Sequence, residues 1–241
     1  MKTVFIGDVH GRNTWKLITH MEKNVDRMVF IGDYFDSFDI KPEDQCNNFL
    51  DIIEFKKKAE VEVICLVGNH DLPYIVKEDL GNSGYQRIGK YLIEPIIEKN
   101  LDFLQMAFKD GEILCTHAGV SPIFMNNVFG TNSWKIDTID SQLNDLFKYK
   151  PFSFAFDSNI GKHYSDPYGD DVFQTPLWIR PKSLMRAGKD IKKDVIQIVG
   201  HTTQNEIDIK GKSTGGRYYF IDVPHEYLIL ENNIFCKGST R

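Results

Sequence analysis

Residues 3–11 read Thr3-Val4-Phe5-Ile6-Gly7-Asp8-Val9-His10-Gly11, a short apolar run that ends in a turn carrying a carboxylate and an imidazole. A run this short, rich in β-branched residues and bounded by glycine, fits a buried strand. The same design recurs along the chain. Met28-Val29-Phe30-Ile31 runs into Gly32-Asp33-Tyr34-Phe35-Asp36, and Val63-Ile64-Cys65-Leu66-Val67 into Gly68-Asn69-His70-Asp71. Ile113-Leu114-Cys115 leads to Thr116-His117-Ala118-Gly119, and Val195-Ile196-Gln197-Ile198-Val199 to Gly200-His201-Thr202. Helical spacing lies between the runs, over residues 15–21, 46–55 and 85–97. The last carries apolar positions at Ile88, Tyr91, Leu92, Ile96 and Ile97, with Pro95 placed to kink it. This strand–turn–helix alternation predicts an α/β fold with stacked β layers. It also puts the polar turns at the carboxyl ends of strands, where open α/β sheets hold their ligands.

Further along, residues 151–176 mix aromatics with Pro, Gly and Asp without a period, as lids, binding loops and surface insertions do. The chain then alternates over Arg217–Asp222, Tyr227–Leu230 and Asn233–Phe235. That pattern predicts antiparallel strands closing a sheet, with a turn at Asn232-Asn233. The length of 241 residues suits one domain, 1–241, with 151–176 as its lid or insertion. Hydrophobic residues at 41% and charged residues at 26% are those of a soluble globular protein. A net charge of -5 argues against a general binder of long nucleic acid. Cys46, Cys65, Cys115 and Cys236 have no metal-finger spacing, no apolar run reaches a membrane span, and the N-terminus enters a strand directly. A reducing cytoplasm is the expected location.

The turns carry the chemistry. Asp8 and His10 alternate with Val9, so an extended backbone would turn both side chains to one side. Asp33, Asn69, His117 and His201 each stand at the end of a separate run. Carboxylate, imidazole and amide oxygen together form a mixed donor set for borderline divalent metals such as Mn²⁺, Fe²⁺ or Zn²⁺. One carboxylate can bridge two ions in a phosphoryl-transfer site.

Taken in order, Gly7-Asp8-Val9-His10-Gly11, Gly32-Asp33-Tyr34-Phe35-Asp36, Gly68-Asn69-His70-Asp71, His117-Ala118-Gly119-Val120-Ser121-Pro122 and Gly200-His201-Thr202 resemble the signature motifs of the calcineurin-like metallophosphoesterases. The phosphoprotein-phosphatase branch is the nearest match, and within it the small bacterial and phage members and the symmetrical diadenosine tetraphosphatases. The resemblance implies a β-sandwich of mixed sheets flanked by helices, in α/β/β/α layers. It implies two divalent ions, manganese before iron or zinc, one held by Asp8, His10 and Asp33 and the other by Asp33, Asn69, His117 and His201. A hydroxide between the ions would attack phosphorus, with His70 as general acid oriented by Asp36. Leu177-Trp178-Ile179-Arg180-Pro181 resembles a segment whose arginine binds substrate phosphate, as the guanidinium fork suits. Asn69 would share in that contact. The implied substrate is a phosphorylated protein, cleaved as a phosphomonoester, or a nucleotide of the dinucleoside polyphosphate kind.

One position departs from the branch. An arginine commonly follows the second aspartate of the second motif, and here that residue is Ser37. Arg12, or Lys162 and His163, could supply the missing cation. Such a loss would suit a phosphodiester, which makes a phosphodiesterase or nuclease the alternative; a non-catalytic metal-binding module is a further one. Gly211-Lys212-Ser213-Thr214 lacks the glycine and the strand–helix context of a phosphate-binding loop and reads as a hairpin turn. His20 and His225 read as surface or packing residues.

Overall fold

The computed structural model describes residues 1–156, 170–187, 195–209 and 217–241. Ten strands lie within them: β1 (Lys2–Ile6), β2 (Arg27–Phe30), β3 (Glu62–Leu66), β4 (Leu104–Gln105), β5 (Phe108–Asp110), β6 (Ile113–Cys115), β7 (Ile196–Val199), β8 (Tyr218–Phe220), β9 (Glu226–Glu231) and β10 (Ile234–Ser239). The helices are α1 (Thr14–Met21), α2 (Pro42–Lys58), α3 (Leu72–Val76), α4 (Lys90–Lys99), α5 (Pro122–Phe129), α6 (Ile139–Tyr149) and α7 (Pro181–Ala187).

The strands form two mixed sheets, β10-β9-β1-β2-β3-β4 and β5-β6-β7-β8. β1 to β4 run parallel, as do β6 to β8, so their carboxyl ends gather on one side of each sheet. Side-chain alternation makes the layers. Phe5, Val29, Ile31, Ile64 and Leu66 point inward, against Cys115 and Ile198 of the second sheet and Ile221 just past β8. Their neighbours Val4, Ile6, Met28, Phe30, Val63 and Cys65 point outward, into a core with Trp15, Ile18, Phe49, Ile52 and Ile53 of α1 and α2. Ala118, Ile179, Leu184 and Tyr218 form a third cluster with α7. This is the layered α/β architecture expected from the sequence.

α2 is longer than the spacing over 46–55 suggests, because its ends are polar. Pro42 opens it, Glu43 and Asp44 occupy the first turn, and Lys56, Lys57 and Lys58 the last, each sign matching the helix dipole. The helix expected over 85–97 is corrected to α4. It continues through Pro95 and buries Ile93 and Ile97, while Ile88 and Tyr91 stay exposed. Residues 85–89 are drawn elsewhere: Gln86 donates from Nε2 to the Ser37 carbonyl and from its N–H to the Tyr74 hydroxyl.

The C-terminal expectation is half corrected. β9 and β10 form an antiparallel hairpin turning on Asn232 and Asn233, both at positive φ. β8, however, pairs in parallel with β7 in the other sheet. Of the irregular stretch 151–176, residues 157–169 lie outside the described residues, and Lys162 and His163 with them. Its flanks are packed, with Phe154, Gln174 and Thr175 buried and the Thr175 hydroxyl donating to the Phe154 carbonyl at 2.9 Å. The tract Gly211–Thr214 also lies outside the described residues. Cys46, Cys65 and Cys115 are buried free thiols, and Cys236 is exposed. No described helix is long and apolar enough to cross a membrane.

Candidate active site

The loops after β1, β2 and β3 of the first sheet meet those after β6 and β7 of the second. Beyond the last ladder bonds, Val9, His10 and Gly11 still donate their N–H groups to the carbonyls of Gly32, Asp33 and Tyr34. The two loops therefore run on side by side past the sheet. They do so in strained form: His10, Asp33, Asp36 and His201 hold φ of 42°, 52°, 62° and 64°. Left-handed backbone at a non-glycine residue costs about 1–2 kcal/mol, and here it gathers at the predicted site. Asp8 and His10 do reach one cluster, but not by strand alternation, because His10 has already left the extended conformation. A Cβ on Gly68 would overlap the Asp33 carboxylate, so glycine is what lets that loop close over the cluster.

Donor atoms of Asp8, His10 and Asp33 all lie within 4.8 Å of one another. Asp33, buried, stands between two groups of donors. Its Oδ2 is 3.7 Å from His10 Nε2 and 3.3 Å from His117 Nε2. Its Oδ1 accepts the His70 N–H at 2.9 Å. The Asn69 amide oxygen lies 2.8 Å from His117 Nε2 and 2.9 Å from His201 Nδ1. All six expected donors thus converge.

The tautomers show what this cluster fits. His10 Nδ1 lies 2.7 Å from the Phe35 carbonyl and His117 Nδ1 2.9 Å from the Ile31 carbonyl, so both nitrogens must donate. In a neutral ring the proton then sits on Nδ1, and the Nε2 lone pair faces oxygens of Asp33 or Asn69. Lone pair against oxygen is repulsive unless a proton or a cation lies between them. A backbone carbonyl that fixes the far nitrogen is the usual support of a metal-ligating histidine. His201 also carries a buried Nε2 without a partner among the described residues. The donor set fits divalent cations.

Without cations the charges redistribute. Burial pushes Asp33 up, but the imidazoles of His117, His70 and His10 outweigh it and hold the carboxyl below its ordinary range. Burial and the neighbouring Asp222 and Asp33 push Asp8 well up. Burial lowers His117, yet Asp33 and Asp8 override it and raise the ring to about 10. Burial lowers His10 despite Asp33, and burial with the nearby His117 takes His201 well down.

His70 turns away from the cluster. Its Nδ1 pairs with Asp36 Oδ2 at 2.9 Å, and its ring stands edge-on to His10 with centroids 5.2 Å apart. Burial disfavours its charge, but Asp33 and Asp36 together raise it to about 9. In the metal-free site this favours the imidazolium, with Nε2–H as its remaining donor. Asp36 is itself held by the Tyr74 hydroxyl, and burial lifts its carboxyl above the usual range.

Arg180 lies on the His201 side, its guanidinium within reach of the Thr202 hydroxyl at 3.5 Å. Arg12 is exposed and lines a cleft of about 460 Å³ together with His10, Asp36, Ser37 and His70. Ser37 has a local task, its hydroxyl accepting the N–H groups of Asp39 and Ile40.

Two acids escaped the sequence reading. Asp71, wholly buried, accepts the N–H groups of Gly68, Asp33 and Tyr34 at 2.7, 3.0 and 2.8 Å, and so pins the β2 loop to the β3 loop. Burial and the nearby Asp33 raise it to about 7. Asp222 follows β8, accepts the Thr203 hydroxyl at 2.6 Å and lines the cleft. Its signal was present, since it ends an apolar run just as Asp8 and Asp33 do.

The calcineurin-like phosphoesterase family model matches residues 1–234, and the chain belongs to that family of metal-dependent hydrolases of phosphoric esters. It is 28% identical over 130 residues to the serine/threonine-protein phosphatase 4 catalytic subunit of Eremothecium gossypii, covering 49% of this chain and 39% of that one. The chain thus aligns with about two fifths of that curated relative. Among solved structures, the cold-active protein-tyrosine phosphatase of a psychrophilic Shewanella covers 99% of this chain and 77% of its own, with 16% identity and a TM-score of 0.61. A protein serine/threonine phosphatase from Saccharomyces cerevisiae covers 99% and 79%, with 12% identity and a TM-score of 0.62. At such identities these two speak for the fold.

Proposed function

We propose that this chain hydrolyses phosphomonoesters at a two-metal centre. Asp8, His10 and Asp33 would hold one ion, and Asn69, His117 and His201 together with Asp33 would hold the other. The observation that carries this reading is the pair of imidazoles whose Nδ1 atoms are committed to backbone carbonyls while both Nε2 atoms face the one carboxylate between them. When bound, the ions make water acidic enough to attack at neutral pH and neutralise charge on the phosphoryl oxygens, work for which Mn²⁺, Fe²⁺ or Zn²⁺ are suited.

The protein's own groups do the rest. Asp36 holds His70 as an imidazolium with Nε2–H free for the leaving oxygen. As the water oxygen bonds to phosphorus in line and the P–O ester bond breaks, that proton passes to the departing alkoxide. The proton lost by water returns the imidazole to its charged form. Arg180, beside Thr202, and Arg12, in the cleft with His70, would bind the phosphoryl oxygens together with the Asn69 carboxamide. Ser37 leaves no cation at its own position, and Arg12, in the loop ahead of α1, fills that gap. The substrate class is a phosphorylated protein or a small phosphate ester.

The test is turnover of p-nitrophenyl phosphate against its bis-ester by manganese-reconstituted protein. Clear preference for the monoester is expected. Preference for the bis-ester would transfer the site to phosphodiesters, and no turnover of either by metal-loaded protein would refute hydrolysis.

A further inference from the structure

Residues 37–40 form the wall of the cleft beside His70, and this turn is braced from within. Gln45, fully buried, accepts the Ser37 N–H at 3.2 Å and donates to the Ile40 carbonyl at 2.6 Å. Gln86 donates to the Ser37 carbonyl at 2.9 Å, and the Ser37 hydroxyl accepts the Ile40 N–H at 3.2 Å. On this fixed turn stands Phe38, 81% exposed, the least covered aromatic ring among the described residues. One edge of the ring leans on Gly84, where a Cβ would come within 3.2 Å of Phe38 Cζ. The ring also lines the cleft that holds His10 and His70. An isolated exposed apolar side chain is ordinary. A ring held on a turn clamped by two glutamines, in the same cleft as the proton donor, is placed for contact.

Resting on the phosphomonoester reading, we propose that Phe38 sets substrate preference by stacking on the leaving group of an aryl phosphomonoester, a phenol of the tyrosine kind. The cleft carries charges of both signs, Arg12 and His70 against Asp36, Asp39 and Asp222, so it is the exposed ring that distinguishes an aryl leaving group from an alkyl one. The offset or edge contact of two rings adds selectivity beyond the area it buries.

The experiment uses the manganese-loaded full chain and compares kcat/KM for phosphotyrosine, phosphoserine and adenosine 5′-monophosphate. Phe38→Ala lowers the value for phosphotyrosine about three- to tenfold, mainly through KM, and leaves phosphoserine unchanged. Phe38→Trp restores the preference and Phe38→Leu does not. Equal losses on phosphotyrosine and phosphoserine would make Phe38 a part of the turn and nothing more. No change on phosphotyrosine, or rescue by leucine, would overturn stacking. Losses confined to the adenylate would assign the ring to a nucleobase instead. Wild-type protein that hydrolyses none of the three would refute the phosphomonoester reading itself, whatever Phe38 does.

Discussion

The floor of the site and its rim are built differently. On the floor, side chains are fixed at a second point: His10 and His117 by carbonyls, His70 by Asp36, and the Asp33 loop by Asp71. On the rim, Arg12 and Phe38 extend from braced backbone with their side chains exposed to solvent. Chemistry that must place charge within fractions of an ångström needs the first construction, and selection among leaving groups works with the second. Changes to the floor should therefore remove turnover or stability, while changes to the rim redistribute specificity.

The most severe test of the contrast removes the proton donor. His70→Asn keeps the polar shape of the ring near Asp36 but cannot protonate a leaving oxygen. Turnover of an alkyl phosphomonoester is expected to fall about 10²–10⁴-fold with metal content unchanged. A substrate with an acidic leaving group, such as p-nitrophenol, needs less help and should lose less. Equal losses on both substrates, or none on the alkyl ester, would remove His70 from the acid role.

Asp71 tests the floor from beneath. Asp71→Ala strands three buried backbone N–H groups, each costing on the order of 1–3 kcal/mol less whatever water can enter. The Tm of metal-free protein should drop by roughly ten degrees, at 2–4 °C per kcal/mol for a chain of this size. Metal affinity should fall with it, because the backbone of Asp33 is no longer held. A variant that melts like wild type would show that the loop contacts alone fix Asp33.

This division also explains what could be read in advance. The five strand-ending turns announce the floor because local composition marks them: an apolar run, then a carboxylate or imidazole at its end. Asp71 gave no such signal. Its role is to bond a loop 38 residues away in sequence, and an aspartate after a strand reads equally well as a helix cap. β8 was placed in the wrong sheet for the same reason, since alternation tells which residues face a core and says nothing of which strand lies alongside. Around Ile88 and Tyr91 the apolar spacing suggested a buried helix face, but hydrogen bonds from Gln86 to Ser37 and Tyr74 outweighed it. The rim was hardest to see, because one exposed phenylalanine in a loop carries no pattern.

The mildest test reads the floor through pH. His70 and His117 are raised to about 9 and 10, against roughly 6.5 for an unfolded imidazole. A raised folded value stabilises fully below the unfolded one, and that stability is lost as pH climbs through the folded one. His10 and His201, both lowered, are neutral in folded and unfolded chains above about pH 7.5 and add no slope there. Asp8, raised by burial, acts in the same sense as His70 and His117. Metal-free protein should thus lose stability between about pH 7.5 and 9, by roughly 1.4 kcal/mol per pH unit for each proton the folded chain retains. Thermal melts across that window measure it as a Tm falling by a few degrees per pH unit. Loading with manganese should flatten the slope, because cations held at Asp33 and His117 would replace the protons that offset these carboxylates. A metal-free Tm that rises with pH would mean that these imidazoles are neutral in the folded chain, and that the floor is held by its backbone bonds without the charges assigned to it here.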